Sequence, residues 1–177
     1  ETTADTFKVS FTSGGLNIPT AGGMAGAHTV LRAADPNLIG KILVGGAFGS
    51  YNGINRARVV RLNTDGTLDT AFDPGAGLDN PIFALVVQPD NKVIIAGDFT
   101  EINGTPRSRI ARLNADGTVD PTFDPAQGAD GLIRTVALEP GTGKIYIGGD
   151  FTGYNFVSQS RVARLNANGS LDTSFID

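Results

Sequence analysis

The feature that most constrains this chain is that it is written three times. Phe48, Phe99 and Phe151 recur at intervals of 51 and 52 residues, each inside a similar phrase: "LVGGAFGSYNG" (43–53), "IIAGDFTEING" (94–104) and "YIGGDFTGYN" (146–155). A period of this length belongs to stacked units that each bury their faces against a neighbour. The third phrase contains the letters GGDF, which elsewhere mark an enzyme making a cyclic dinucleotide. A catalytic loop is used once per active site, whereas this one is repeated and carries Ala47 in place of the Asp in its first copy. The letters therefore read as part of a building block.

The three copies run from about residue 24 to 75, 76 to 126 and 127 to 177. Each opens on an apolar stretch ("HTVLRA", "IFALVVQP", "IRTVALEP") rich in strand formers. Next comes a continuous apolar run ("KILVGG", "KVIIAG", "KIYIGG"), the pattern of a strand buried on both faces. Its small residues, Gly45-Gly46, Ala96-Gly97 and Gly148-Gly149, permit close approach of another backbone. A loop of about ten residues leads to "RVVRLN", "RIARLN" and "RVARLN". Asp-Gly or Asn-Gly turns then lead into "LDTAF", "VDPTF" and "LDTSF", where Pro121 predicts an edge strand. The expected fold is all-β: a propeller-like array of three four-stranded antiparallel blades over 21–177, preceded by an N-terminal strand or arm over 1–20.

The segment "VVQPDNKVIIAGDFTEINGTPRSRIARLNADGTVDPTFDP" (86–125) resembles the delta-60 β-propeller repeat of bacterial exported proteins. Its "QPDNK", "AGDF", "IARLNADGT" and "DPTF" elements carry the likeness, which covers about residues 28–177. The first copy departs most, with extra residues in "ADPNLIGK" and with Ala47. The resemblance implies a propeller-like fold in secreted or cell-surface proteins, and no defined activity.

Composition narrows the function classes. The chain has 177 residues, 40% hydrophobic, a net charge of −4 and no Cys. No basic cluster is present to neutralise phosphates, so a nucleic-acid partner is not expected. No apolar run approaches the roughly 20 residues needed to cross a bilayer as a helix, so membrane insertion is not expected either. The absence of an initiator Met reads as a cleaved product or excised piece. With only four Lys and much Thr, Asn, Asp and Gly, the composition fits an extracellular or cell-surface location. Three blades cannot close a ring, and an open set leaves edges and apolar faces exposed. The expected partners are therefore other copies of the chain or further blades of the same polypeptide. "DTFKVSFTSGGLN" (5–17) resembles the end of a repeat and is surplus to the three copies. Phe7, Val9 and Phe11 read as an arm that is the edge of a preceding blade, an element added to a neighbour, or a strand folded back on the first blade. Head-to-tail exchange would give a ring or a filament.

Candidate chemistry is sparse. "NTDGTLD" (63–69), "NADGTVD" (114–120) and "NANGSLD" (166–172) have calcium-like oxygen spacing. They offer three side chains at most, without the usual glutamate, and read as hairpin turns, so no metal is expected. The Arg pairs 58/61, 109/112 and 161/164 read as interstrand ion pairs, with Asp98 and Asp150 as available partners. His28 has no nucleophile spacing around it, "GTGK" (141–144) is a turn, and the sequons at Asn103 and Asn168 matter only in a eukaryotic secretory route. The three loops (49–57, 100–108, 152–160) share one rim. Tyr51-Asn52, Asn103, Arg107 and Tyr154-Asn155 on them could stack on a sugar and hydrogen-bond its hydroxyls. The alternative is that Asn caps the loop and Tyr packs under it. The sequence thus leads to a non-enzymatic structural or adhesive module without cofactor, with carbohydrate binding as the second reading.

Overall fold

A computed structural model describes residues 10–12, 15–17, 29–31 and 40–175; all description below concerns these. The first hairpin is β1 (Ser10–Thr12) with β2 (Gly15–Asn17), paired Ser10↔Asn17 to Thr12↔Gly15. The first blade contains β3 (Thr29–Leu31), β4 (Lys41–Gly45), β5 (Ser50–Tyr51), β6 (Ile54–Asn55) and β7 (Val59–Asn63). The second contains β8 (Ile82–Val87), β9 (Val93–Gly97), β10 (Glu101–Ile102), β11 (Thr105–Pro106) and β12 (Ile110–Leu113). The third contains β13 (Ile133–Leu138), β14 (Ile145–Gly149), β15 (Gly153–Tyr154), β16 (Val157–Ser158) and β17 (Val162–Leu165). Each blade is a three-stranded antiparallel sheet with the continuous apolar strand in the centre: β3-β4-β7, β8-β9-β12 and β13-β14-β17.

The all-β, propeller-like class is as expected, but the blades are three-stranded. The fourth strand is reduced to one bridge per blade: Leu62↔Leu68, Leu113↔Val119 and Leu165↔Leu171. The cause lies one residue further on. The Asp69, Asp120 and Asp172 carboxylates accept the backbone N–H of Ala71, Thr122 and Ser174, at 3.1, 2.9 and 3.1 Å. Such a bond bends the chain into a turn instead of letting it pair. Pro121 fits because that turn needs no N–H from it.

The predicted loops are also more regular than the sequence implied. Each is a short hairpin, β5–β6, β10–β11 or β15–β16. Asn52-Gly53 and Asn103-Gly104 take positive φ at both turn positions (48° and 76°, 51° and 73°), as a tight β-hairpin turn requires.

Alternation along the central strands sends successive side chains to opposite neighbours. Val93 and Ile95 pack with Leu43, Val59 and Phe72 of the first blade. Ile94 and Ala96 pack with Ile145, Ile147 and Ala163 of the third. This is why the central runs are uninterruptedly apolar: both faces are core. Ile42, Val44, Val60 and Leu62 form a third buried cluster on the far side of the first blade. The small residues at the ends of the central strands do admit backbone: a Cβ at Gly97 or Gly149 would lie 2.1 or 2.0 Å from the carbonyl oxygen of Pro81 or Leu132.

Candidate functional site

The chemistry that recurs is a clasp built from four parts of each repeat. In the second blade, Arg112 Nε donates to Asp120 Oδ2 at 2.7 Å and Lys92 Nζ lies 2.8 Å from the same oxygen. The Arg112 guanidinium lies over the Phe123 ring, 5.2 Å from its centroid, and Nη2 donates to Thr122 at 3.0 Å. The first blade repeats this with Lys41, Arg61, Asp69 and Phe72, and the third with Lys144, Arg164, Asp172 and Phe175. Burial alone would push the Asp120 carboxyl up, but Lys92, Thr122 and Arg112 hold it well below the ordinary carboxylate range. Lys144 and Ser174 do the same for Asp172.

The clasp also reaches across to the next blade. Arg61 Nη1 donates to the carbonyl of Ala115 at 2.7 Å, and Arg112 Nη1 to that of Ala167 at 2.8 Å. Both acceptors sit in the Asx-Gly turn of the following repeat. The backbone of Asp73 donates to Asp116 and that of Asp124 to Asn168, each at 2.8 Å. Gly117, at φ 91°, is needed twice: for its left-handed conformation, and because a Cβ there would lie 2.8 Å from the Asp73 backbone. The Asx-Gly turns of the second and third repeats are therefore docking pegs for the blade before each.

In the third blade the socket is present, and no peg meets it among the described residues. Every polar or ring contact of the Arg164 side chain is local: Asp172, Ser174, Tyr146, Glu139 and Phe175. On the same face Thr135, Ala137 and Val162 are exposed, Val162 by 43%. The second blade has Ala84, Val86, Ile94 and Ile110 on this face, and Ile110 is 0% exposed.

The ion pairs expected of the Arg residues are real but differently partnered. Arg61, Arg112 and Arg164 pair with Asp69, Asp120 and Asp172, which the sequence reading had assigned to the last strand. Asp150 pairs with Arg134, and Asp98 approaches Arg109 only to 3.9 Å. Arg58, Arg109 and Arg161 instead adopt positive φ (74°, 68° and 68°), and the strands begin one residue later, at Val59, Ile110 and Val162. Arg58 Nη2 reaches the carbonyl of Asp79 and Arg109 Nη1 that of Ala129, both on the linkers to the next blade.

The rim residues proposed for a sugar are mostly committed elsewhere. Tyr51 and Tyr154 are 2% and 0% exposed, and their hydroxyls donate to Gly66 and Gly169 at 2.6 and 2.8 Å. Burial pushes both hydroxyls up from the ordinary tyrosine value. Their rings are core, so they are not presented for stacking. Asn103 and Asn155 hold the interblade linkers: each Oδ1 accepts a backbone N–H, from Gly77 and Gly128, at 2.9 Å. Asn52 is exposed at the tip of its hairpin, and Arg107 Nη1 donates to the adjacent Pro106 carbonyl. The calcium-like loops are Asx turns: Asp65 Oδ1 accepts from Thr67 N and Oγ1 at 2.9 and 2.7 Å. No group of three or more His, Cys, Asp or Glu that could hold a metal occurs among the described residues. The arm residues Phe7 and Val9, and His28, lie outside the described residues; Phe11 sits in β1, opposite Leu16.

Sequence reasoning missed the Lys–Asp half of the clasp and the peg role of the turns. The signal was available: Lys, Arg, Asp and Phe recur together in every copy at fixed places.

Three sheets of equivalent topology, stacked face to face through the same clasp, define an array of β-propeller blades. The family model described as a β-propeller domain of unknown function (DUF5122) matches residues 40–72, 88–123 and 141–175, more than half of the chain, and the protein belongs to that family. Each match runs from the turn before the central strand to the clasp Phe, Phe72, Phe123 or Phe175. No curated protein matches the chain.

Proposed function

We propose that this protein is a non-enzymatic structural module that works by contact, and that the open face of its third blade receives the turn edge of a further blade of the same repeat. One observation carries the reading. Arg61 and Arg112 each reach a carbonyl of the next blade, and Arg164 has the same clasp without that acceptor. Gly148 supports it. Its counterpart in the first blade, Gly45, makes room for the second blade, where an added Cβ would lie 2.8 Å from Leu85 and 2.9 Å from Ile82. At Gly148 the nearest atom to such a Cβ is Thr135 Cγ2 of its own blade. The further blade comes from a neighbouring copy or from more of the same polypeptide, and an extracellular, cell-surface setting in bacteria fits the Lys-poor, Cys-free composition.

Sedimentation over a range of concentrations tests self-assembly, on the wild type, on Val162→Glu and on a chain lacking residues 1–20. Association lost in Val162→Glu assigns the open face, and association lost only on truncation assigns the arm. A chain extended after residue 177 by a second copy of 76–126 tests the other source. Slower amide exchange across β17 is expected there. A monomer at every concentration, together with unchanged exchange in the extended chain, would sink the reading.

A further inference from the structure

The two clefts between blades are built alike at the rim, and one of them has been altered at three places. In the first cleft the linker carries Leu78 and the second-blade hairpin carries Glu101 and Gly104. In the second cleft the corresponding residues are Ala129, Gly153 and Phe156, placed by the matching bridges Leu78↔Ile102 and Ala129↔Tyr154. Two large side chains have become small and one glycine has become an aromatic. The result is a cleft of about 260 Å3 with Ala129 and Gly153 in its wall, Phe156 at its edge, and Arg109, Gln127 and Asp130 around it.

Phe156 is in the wrong place for a core residue. It is 92% exposed. Its φ is 64°, a left-handed conformation that opposes a bulky side chain and that Gly104 takes freely at 73°. Neither burial nor backbone preference explains the ring. An exposed aromatic at a concave site is a platform for an apolar surface.

The polar groups say which ligand. Asp130 is already satisfied: its carboxylate accepts from Thr152 N, Thr152 Oγ1 and Gly153 N at 2.8, 2.9 and 3.0 Å. The Arg109 charge faces Asp98 at 3.9 Å, so the cleft holds no uncompensated cation for an anionic ligand. What remains is hydrogen-bonding capacity: Gln127 is exposed in the cleft wall. A ligand with an apolar C–H face and neutral hydroxyl groups matches a ring beside an exposed amide.

We propose that the rim cleft between the second and third blades, beneath Phe156, binds one residue of a neutral glycan. This is independent of the assembly reading, because the cleft lies within one chain and between blades already docked. It also moves sugar recognition away from Tyr51 and Tyr154, which are buried.

The test is a heteronuclear NMR titration of the intact chain with maltotriose, cellotriose and N,N′,N″-triacetylchitotriose in turn. The expected result is a millimolar dissociation constant for at least one, with shifts concentrated at Gly128, Ala129, Gly153 and Phe156. Phe156→Gly should weaken binding at least about tenfold while leaving or raising Tm, since glycine suits the turn. Ala129→Leu, which refills the cleft as in its sibling, should also abolish it; Ile54→Ala on the first hairpin should not. No shifts with any of the three sugars, binding that survives Phe156→Gly, or inorganic phosphate shifting the same amides more strongly would each overturn the proposal.

Discussion

The second and third blades share a topology, a clasp and nearly a sequence, yet one outer face is core and the other is surface. Behind β12 lies another blade, and Ile110 and Arg112 are 0% and 9% exposed. Behind β17 no blade packs among the described residues, and the equivalent Val162 is 43% exposed. Burying a side chain of this size fully stabilises by about 1.5–3 kcal/mol, so equivalent branched aliphatic residues, Ile110 and Val162, are worth different amounts at the two places. The clasp is therefore not simply an intrablade ion pair. Where the next blade is present it fixes the docking register, and where it is absent it is a prepared socket.

That contrast can be broken most forcefully at the arginines. Arg112→Ala leaves Lys92 as the one cation on buried Asp120, beside the Thr122 hydrogen bonds, and takes away the Arg donor to the Ala167 carbonyl. It should cost about 3 kcal/mol, in line with breaking a buried charge pair. Arg164→Ala removes only local contacts and should cost clearly less. Urea denaturation of the two variants measures the difference; equal losses would mean that the interblade bond contributes nothing.

A smaller effect sharpens the same point through packing. Gly45→Ala forces a methyl into Leu85 and Ile82 of the neighbouring blade and should cost about 1–3 kcal/mol, the usual range for overpacking. Gly148→Ala meets only atoms of its own blade, Thr135 Cγ2 at 2.9 Å and the Arg161 carbonyl oxygen at 3.7 Å, and should cost less in the isolated chain. In a chain extended by a fourth blade, the two should converge.

Acid supplies the smallest and most graded test. Asp120 and Asp172 have folded-state values held below their unfolded value near 3.9, so their contribution is present above about pH 4 and is lost as pH falls through the folded values. Tm should fall steadily below about pH 4. Asp120→Asn should flatten that part of the profile, even though its Tm is lower at neutral pH. A wild-type profile that stays level down to pH 2 would remove the clasp carboxylates from the account of stability.

Much of this was legible in the residues. Repeat number, all-β class, the doubly buried central strands, the Asx-Gly turns and the close-approach glycines follow from pattern and turn chemistry, which are local. The fourth strand was misread because "LDTAF" has strand composition, while its fate depends on Asp69 turning back to cap Ala71. Tyr51 and Tyr154 stayed open between stacking on a sugar and packing under the loop, because a Tyr beside an Asn looks alike whether its ring faces water or packs inward; the structure takes the second. The hairpins on the rim were hidden by their length, since two residues per strand give no alternation to detect.

By itself the sequence determined the units: which segments are strands, where they turn, and which residues recur in every copy. Only the tertiary structure decided what those recurrences do. In the Lys–Arg–Asp–Phe clasp the Lys lies 28 positions from its Asp, and the carbonyl that the Arg reaches lies on the next blade, 54 or 55 residues along the chain. Such contacts depend on how one sheet stacks on another, and a one-dimensional pattern carries period and propensity but not facing. Phe156 makes the same point from the other side. Its letter breaks the turn rule in plain view, but that it stands exposed at a cleft opened by Ala129 and Gly153 is a fact of three dimensions.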